Sequence, residues 1–216
     1  MDSNKSYGVT KDTAAAFTVY IQKYPALYTE IADIVQKQIK KKNPVIVDVG
    51  MGPGLLSAAL SKKIPESFII GVDPVDQMVR IAVRASHGHY SVIRGVSEQL
   101  PLCTDSVDVA VSRFSLPYWA DPHQSLIEMF RVLHPQGFVI LDVLNKDYSK
   151  VRLALIKLHM YLRGAAGEVV RYHLDAYNLA YGISEVYRML EKTGFFIVSP
   201  KENALDWHFM VIAQKK

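Results

Sequence analysis

The chain has 216 residues, half of them apolar, with a formal net charge of +4 and one cysteine, Cys103. That length and apolar content can fill one hydrophobic core without staples, and a lone cysteine excludes an internal disulfide and a cysteine-built metal cage. No apolar run approaches the roughly 20 residues of a membrane span, and Met1–Ser6 shows no secretory apolar core, so a cytoplasmic protein is expected.

In chain order, helical spacing predicts two helices near 11–22 and 25–41. The second is built on Leu27, Ile31, Ile34 and Val35 and closed by the basic run Lys37–Lys42. Cations favour the negative end of a helix, so the run reads as a solvated helix end rather than a nucleic-acid patch. A β-branched strand near 45–49 follows and carries Asp48. The chain then meets Gly50, Gly52 and Gly54 at alternate positions before the helical run Leu55–Leu60. Glycine permits positive φ and lets a ligand lie against bare backbone, and the helix start turns unpaired N–H groups to the same space. This is a strand–loop–helix for a nucleotide. A dinucleotide loop requires its third glycine where Leu55 stands, so that ligand is disfavoured.

The next strand, near 67–72, runs into Asp73. That carboxylate lies roughly 20 residues past the glycine loop, at the spacing where an acid accepts ribose hydroxyls. Asp76 is expected as an N-cap ahead of Met78, Val79, Ile81 and Ala82. Further strands are expected near 91–95, 107–112 and 137–144. Such alternation of strands and helices implies a parallel sheet covered on both faces. Residues 146–180 break the rhythm with an aromatic-rich helical stretch, and Ser184 is expected to cap a helix running to about Lys192. Two last strands, near 194–198 and 207–213, are close enough in sequence to form an antiparallel pair. The expected divisions of this single α/β domain are an N-terminal helical cap (1–43), a cofactor-binding core (44–145), a helical insertion or lid (146–182) and a C-terminal helix with the strand pair (183–216).

Asp48–Gly54 reads D-x-G-x-G-x-G and resembles motif I of the class I S-adenosylmethionine-dependent methyltransferases. Gly71–Met78 resembles the family's acidic loop, Arg94–Val111 its GDAxxLPFxxxxFDVV segment, and Glu128–Leu141 its RVLKPGG junction between helix and strand. The resemblance covers residues 40–145 well. It implies a Rossmann-like seven-stranded sheet with its last strand antiparallel, and S-adenosylmethionine as cofactor. The nearest type is the small-molecule enzymes similar to those of ubiquinone and menaquinone biosynthesis. By the same resemblance the cofactor is held by Asp48, Gly50, Met51, Gly52, Gly54, Asp73, Pro74, Met78, Val96, Ser97, Glu98, Ser112 and Arg113. Val96 departs from the family, which places an acid there against the adenine amino group. Backbone groups of Val96 and Ser97, or the Glu98 side chain, are the alternatives.

In an open α/β sheet the acceptor sits beyond the carboxyl ends of the strands. The loop after the fourth strand, Ser112–Trp119, is therefore expected beside the methyl group. Tyr118 and His123 are the candidate catalytic residues, with Asp142 and His159 as further bases or orienters. Ser115, Tyr118, Trp119 and His159 are the candidate substrate contacts. Ser115–Tyr118 loosely resembles the NPPY motif of amino-methyltransferases, with serine for asparagine. The N-terminal helices and the 146–180 stretch, which carries Lys157, His159, Tyr161, Arg163, Arg171, Tyr172, His173, Tyr177 and Tyr181, are the expected lid. His87 and His89 lack a third ligand in sequence, so no metal is expected. The expected partner is a small-molecule substrate for a monomer or homodimer. A macromolecular acceptor (RNA or protein), a non-catalytic cofactor-binding module and a nucleotide-dependent oxidoreductase are the alternatives.

Overall fold

The computed structural model describes residues 11–162, 167–198 and 207–216. Among these, seven strands form one sheet: β1 (Val45–Val49), β2 (Phe68–Asp73), β3 (Ser91–Arg94), β4 (Val107–Arg113), β5 (Leu133–Leu144), β6 (Phe195–Ile197) and β7 (His208–Lys215), in the order β3-β2-β1-β4-β5-β7-β6. The neighbouring pairs from β3 across to β5 are parallel. β7 inserts antiparallel between β5 and β6. The central strands β1 and β4 are largely buried on both faces, and β1 accordingly opens on a continuous β-branched run, Val45–Val47.

Eight helices among the described residues surround the sheet: α1 (Lys11–Ile21), α2 (Ala26–Gln38), α3 (Leu55–Lys63), α4 (Asp76–Ser86), α5 (Pro122–Val132), α6 (Lys150–Leu162), α7 (Gly167–Asn178) and α8 (Ile183–Thr193). One face of the sheet packs Val47, Ala110 and Leu141 against Leu126 and Met129 of α5 and Val186 and Leu190 of α8. The other packs Ile46, Val109 and Val111 against Ile31 and Val35 of α2 and Leu56 and Leu60 of α3.

Several boundaries differ from expectation for local reasons. α2 stops at Gln38, and Lys41 lies beyond it, paired with Asp108 at 3.0 Å. Asp76 is the first residue inside α4, with Val75 at the cap. Asp73 already accepts the Val75 N–H at 2.9 Å, and Asp76 pairs with Arg80 one turn on. Ser184 does not cap α8: Gly182 does, and its N–H is taken by Glu185 at 2.8 Å. β5 begins at Leu133 rather than 137, because Leu133–Gly137 forms a bulge between the pairs Val107–Leu133 and Val109–Phe138. The helical 146–180 stretch consists of two helices, α6 and α7. No helix among the described residues is long and apolar enough to cross a membrane.

Candidate cofactor and acceptor cleft

At the end of β1 the backbone passes through three left-handed glycines, Gly50, Gly52 and Gly54, at φ of 74°, 55° and 85°. Their steric roles differ. A Cβ on Gly50 would strike the Ser115 side chain, and one on Gly54 would strike the Tyr90 hydroxyl. A Cβ on Gly52 would meet no atom of the described residues within 4 Å, so this glycine opens onto empty space. Gly50 and Met51 both donate their N–H to the Val72 carbonyl, which pins the loop to the end of β2. Asp73 completes the pin: one carboxylate oxygen accepts the Gly52 N–H and the other the Val75 N–H, each at 2.9 Å.

Two buried acids therefore underlie the loop. Burial pushes the Asp73 carboxyl up to about 6 against the pull of its two backbone N–H donors. Asp48 is fully buried beneath the loop and accepts the Ser57 hydroxyl at 2.7 Å. Desolvation, opposed by that hydrogen bond and reinforced by the charge of Asp73, pushes Asp48 up to about 7.

The loop forms one wall of an open cleft. Met51, Pro53, Asp73, Pro74, Val75 and Met78 line it from the glycine loop and the entry into α4. Gly95, Ser97 and Glu98 form the rim beside them. Phe17, Ile21, Tyr28, Phe114, Tyr118, Trp119, Leu144 and Ala176 add aromatic and aliphatic side chains to the same wall. Such a concave apolar space with a few convergent polar groups is the usual form of a small-molecule site.

The end of β4 organises the floor. Ser115 Oγ donates to the Val49 carbonyl at 3.1 Å, accepts the Trp119 indole N–H at 3.0 Å and contacts the Ser112 hydroxyl. Ser115 thus ties the glycine loop to the loop after β4. Arg113 is almost fully buried. Its Nη1 donates to Asp142 Oδ2 at 2.5 Å and to the Leu27 carbonyl at 3.2 Å. The guanidinium also lies over the Tyr28 and Phe114 rings, at 5.0 and 4.2 Å. Arg113 Nε is buried with no acceptor among the described residues. On the far side of Asp142, His208 Nδ1 lies 2.6 Å from Oδ1.

The cleft brings together Asp48, Gly50, Met51, Gly52, Asp73, Pro74, Met78, Ser97, Glu98, Arg113, Ser115, Tyr118 and Trp119 of the residues expected from sequence. Gly54, Val96, Ser112, His123 and His159 lie outside its wall. Gly54 packs on Tyr90, Val96 pairs with Gln99 in a turn, and Ser112 is buried beneath Ser115. His123 is exposed on the first turn of α5, and His159 is exposed on α6. Glu98 Oε1 accepts the Ala120 and Asp121 N–H groups, which ties the rim to the loop before α5. Phe17, Ile21, Tyr28, Leu144 and Ala176 carried no motif, and only their apolar spacing on helices and β5 hinted at burial. Of the expected lid residues, Tyr177 donates its hydroxyl to the Trp207 carbonyl at 3.1 Å. Arg163 and the side chains of Arg171, Tyr172 and His173 lie outside the described residues.

Residues 47–141 match the methyltransferase domain family. The chain is 29% identical over 161 residues to a demethylmenaquinone methyltransferase of Deinococcus radiodurans, covering 69% of this chain and 67% of that protein. It is 31% identical over 100 residues to a chloroplastic 2-methyl-6-phytyl-1,4-hydroquinone methyltransferase of Spinacia oleracea, covering 46% of this chain and 29% of that protein. A structure of an S-adenosylmethionine-dependent methyltransferase from Aquifex aeolicus shares the fold, with a TM-score of 0.65 at 18% identity over 88% of this chain and 97% of that one. The chain spans about a third of the length of several curated relatives it matches, at 29%, 37% and 30%. The sheet order and glycine loop are those of the fold seen in the S-adenosylmethionine-dependent methyltransferase structure, and residues 47–141 are similar to the methyltransferase domain.

Proposed function

We propose that the protein transfers the methyl group of S-adenosylmethionine to a flat, apolar small molecule of the phenol or hydroquinone class. The observation that carries this reading is one cleft lined both by the backbone and carboxylate of the Gly50–Asp73 region and by the apolar side chains of Phe17, Tyr28, Phe114, Tyr118, Trp119 and Leu144. The names of the quinone-pathway relatives support the acceptor class.

The residues present fit the cofactor. The open space over Gly52 leaves room for a ligand against the backbone. Asp73 spends one lone pair per oxygen on the loop and keeps the others for ribose hydroxyls. Pro74, Val75 and Met78 would flank the adenosine, with Ser97 and Glu98 on the adenine rim in place of the acid that Val96 replaces. Arg113, a cation that lines the cleft, would take the methionine carboxylate. When bound, the cofactor supplies an electrophilic methyl on a sulfonium whose leaving thioether is neutral. The protein's work is then alignment and exclusion of water, worth several orders of magnitude in rate. Tyr118, in the cleft wall, would orient the acceptor oxygen. His123, exposed on α5, has no part in this reading.

The test is turnover of labelled S-adenosylmethionine against a panel of hydroquinones, phenols, RNA and peptide acceptors. Label transfer to an aromatic small molecule, reduced at least tenfold by Tyr118→Ala, is expected from loss of positioning. Transfer only to RNA or peptide would refute the acceptor class.

A further inference from the structure

α6 is apolar on two opposite faces, and only one of them is covered by described residues. Its inner face carries Leu153, Ile156 and Met160. Leu153 packs in the cluster of Phe114, Tyr118 and Leu144, and Ile156 and Met160 pack on Phe17 and Tyr20 of α1. Its outer face carries Val151, Leu155, Leu158 and Leu162, exposed at 72%, 61%, 55% and 78%. Their spacing of four, three and four residues is that of a single stripe along one side of a helix. Isolated exposed leucines are ordinary on a protein surface, but four in a continuous stripe are not.

The charges beside the stripe say what covers it. Lys150 and Lys157 flank it on one side, and Arg152 and His159 on the other. All four are exposed, and α6 has no acidic residue from Lys150 to Leu162. A second copy of the chain would bring two such basic margins together with no acid between them. An anionic lipid surface complements both features at once: leucines enter the acyl boundary while lysine and arginine stems reach back to the headgroups. At 13 residues the helix is about 20 Å long, enough to lie in the interface and too short to cross the bilayer.

We propose that α6 is an interfacial helix, and that the protein docks reversibly on anionic membrane surfaces through Val151, Leu155, Leu158 and Leu162 with the flanking Lys150, Arg152 and Lys157. Because the inner face of the same helix packs against Phe17, Phe114 and Tyr118 of the cleft wall, the docked protein holds its apolar wall next to the bilayer.

The experiment is co-sedimentation of the full chain, without cofactor, with vesicles of phosphatidylcholine containing phosphatidylglycerol, and with phosphatidylcholine alone. Binding to the anionic vesicles that weakens with added salt is expected. Lys150→Glu/Arg152→Glu/Lys157→Glu is expected to reduce it by roughly fivefold or more for each basic side chain removed. Leu155→Ser/Leu158→Ser is expected to reduce it about tenfold or more while leaving the melting temperature unchanged, because both side chains are exposed. Absence of binding to anionic vesicles, or binding that neither variant weakens, would overturn the proposal. So would a dimer in light scattering that Leu155→Ser/Leu158→Ser dissolves, since the stripe would then belong to a second copy. None of these readouts depends on methyl transfer, so the docking surface can fail while the cofactor reading stands.

Discussion

Replacing Asp48 by Asn makes the strongest quantitative test of the loop's electrostatics. Asp48 is buried and its pKa is raised from 3.8 to about 7, first by desolvation. An acid whose folded pKa lies above its unfolded value favours the folded state in its protonated form. Its contribution is full below pH 3.8 and is lost as the pH rises through about 7. Three pH units correspond to about 4 kcal/mol, of which about 3 kcal/mol falls between roughly pH 4.5 and pH 8. Asp48→Asn keeps an acceptor for the Ser57 hydroxyl and removes the titration. Other groups titrate alike in both proteins and cancel. The exception is Asp73, whose ionisation becomes easier once its charged neighbour is gone, a change of the same sign. Urea unfolding of both proteins across that range should therefore show the variant gaining on the wild type by about 3 kcal/mol from the acid to the alkaline end. A difference that stays constant with pH would refute the picture of a buried, reluctantly ionised carboxylate.

Gly52→Ala should cost little stability, on the order of 1–2 kcal/mol for its positive φ, yet abolish cofactor binding, because the Cβ enters the space over the loop. Thermal melts and calorimetry on one sample separate the two effects. Gly50→Ala, whose Cβ meets Ser115 in the protein itself, should instead fail to accumulate as folded protein in a solubility assay. Arg113→Met should cost about 3–5 kcal/mol in urea unfolding, because it leaves the Asp142 carboxylate buried without its cation; Arg113→Met/Asp142→Asn should recover much of that loss, and a double variant as unstable as the single one would contradict the pairing. His123→Ala should leave turnover within about twofold of wild type, since surface substitutions of this kind are nearly neutral.

The sheet was legible because its signals are local. β1 and β2 are β-branched runs that end in Asp48 and Asp73, and three glycines at alternate positions between β1 and α3 mark a left-handed loop by their spacing alone. The strand pair β6 and β7 followed from the short gap between two apolar runs. Helix starts were less legible. Asp76 and Ser184 are good capping types, but the helices begin earlier, with Val75 and Gly182 at the cap positions, so both side chains lie inside the first turn. The Arg113–Asp142–His208 cluster was invisible as a unit. Arg113 and Asp142 meet through the parallel register of β4 with β5, and Asp142 meets His208 across β5 and β7. His159 drew attention by residue type alone. The helical phase of α6 turns its neighbour Met160 inward and leaves His159 in solvent. The apolar wall from Phe17, Ile21 and Tyr28 came from helices that carry no motif, and only the folded chain brings them over the glycine loop.

If the chain is a methyltransferase, the cleft over Gly52 and Asp73 must hold S-adenosylmethionine, and isothermal calorimetry decides whether it does. The wild type and Asp73→Asn would be titrated with S-adenosylmethionine, S-adenosylhomocysteine and NADH. The expected result is one site in the micromolar range for both sulfur nucleotides, a loss of about tenfold or more in Asp73→Asn from weakened charge-assisted hydrogen bonds, and no heat with NADH. Binding of NADH in preference to S-adenosylmethionine, or sulfur-nucleotide binding that Asp73→Asn leaves unchanged, would contradict it.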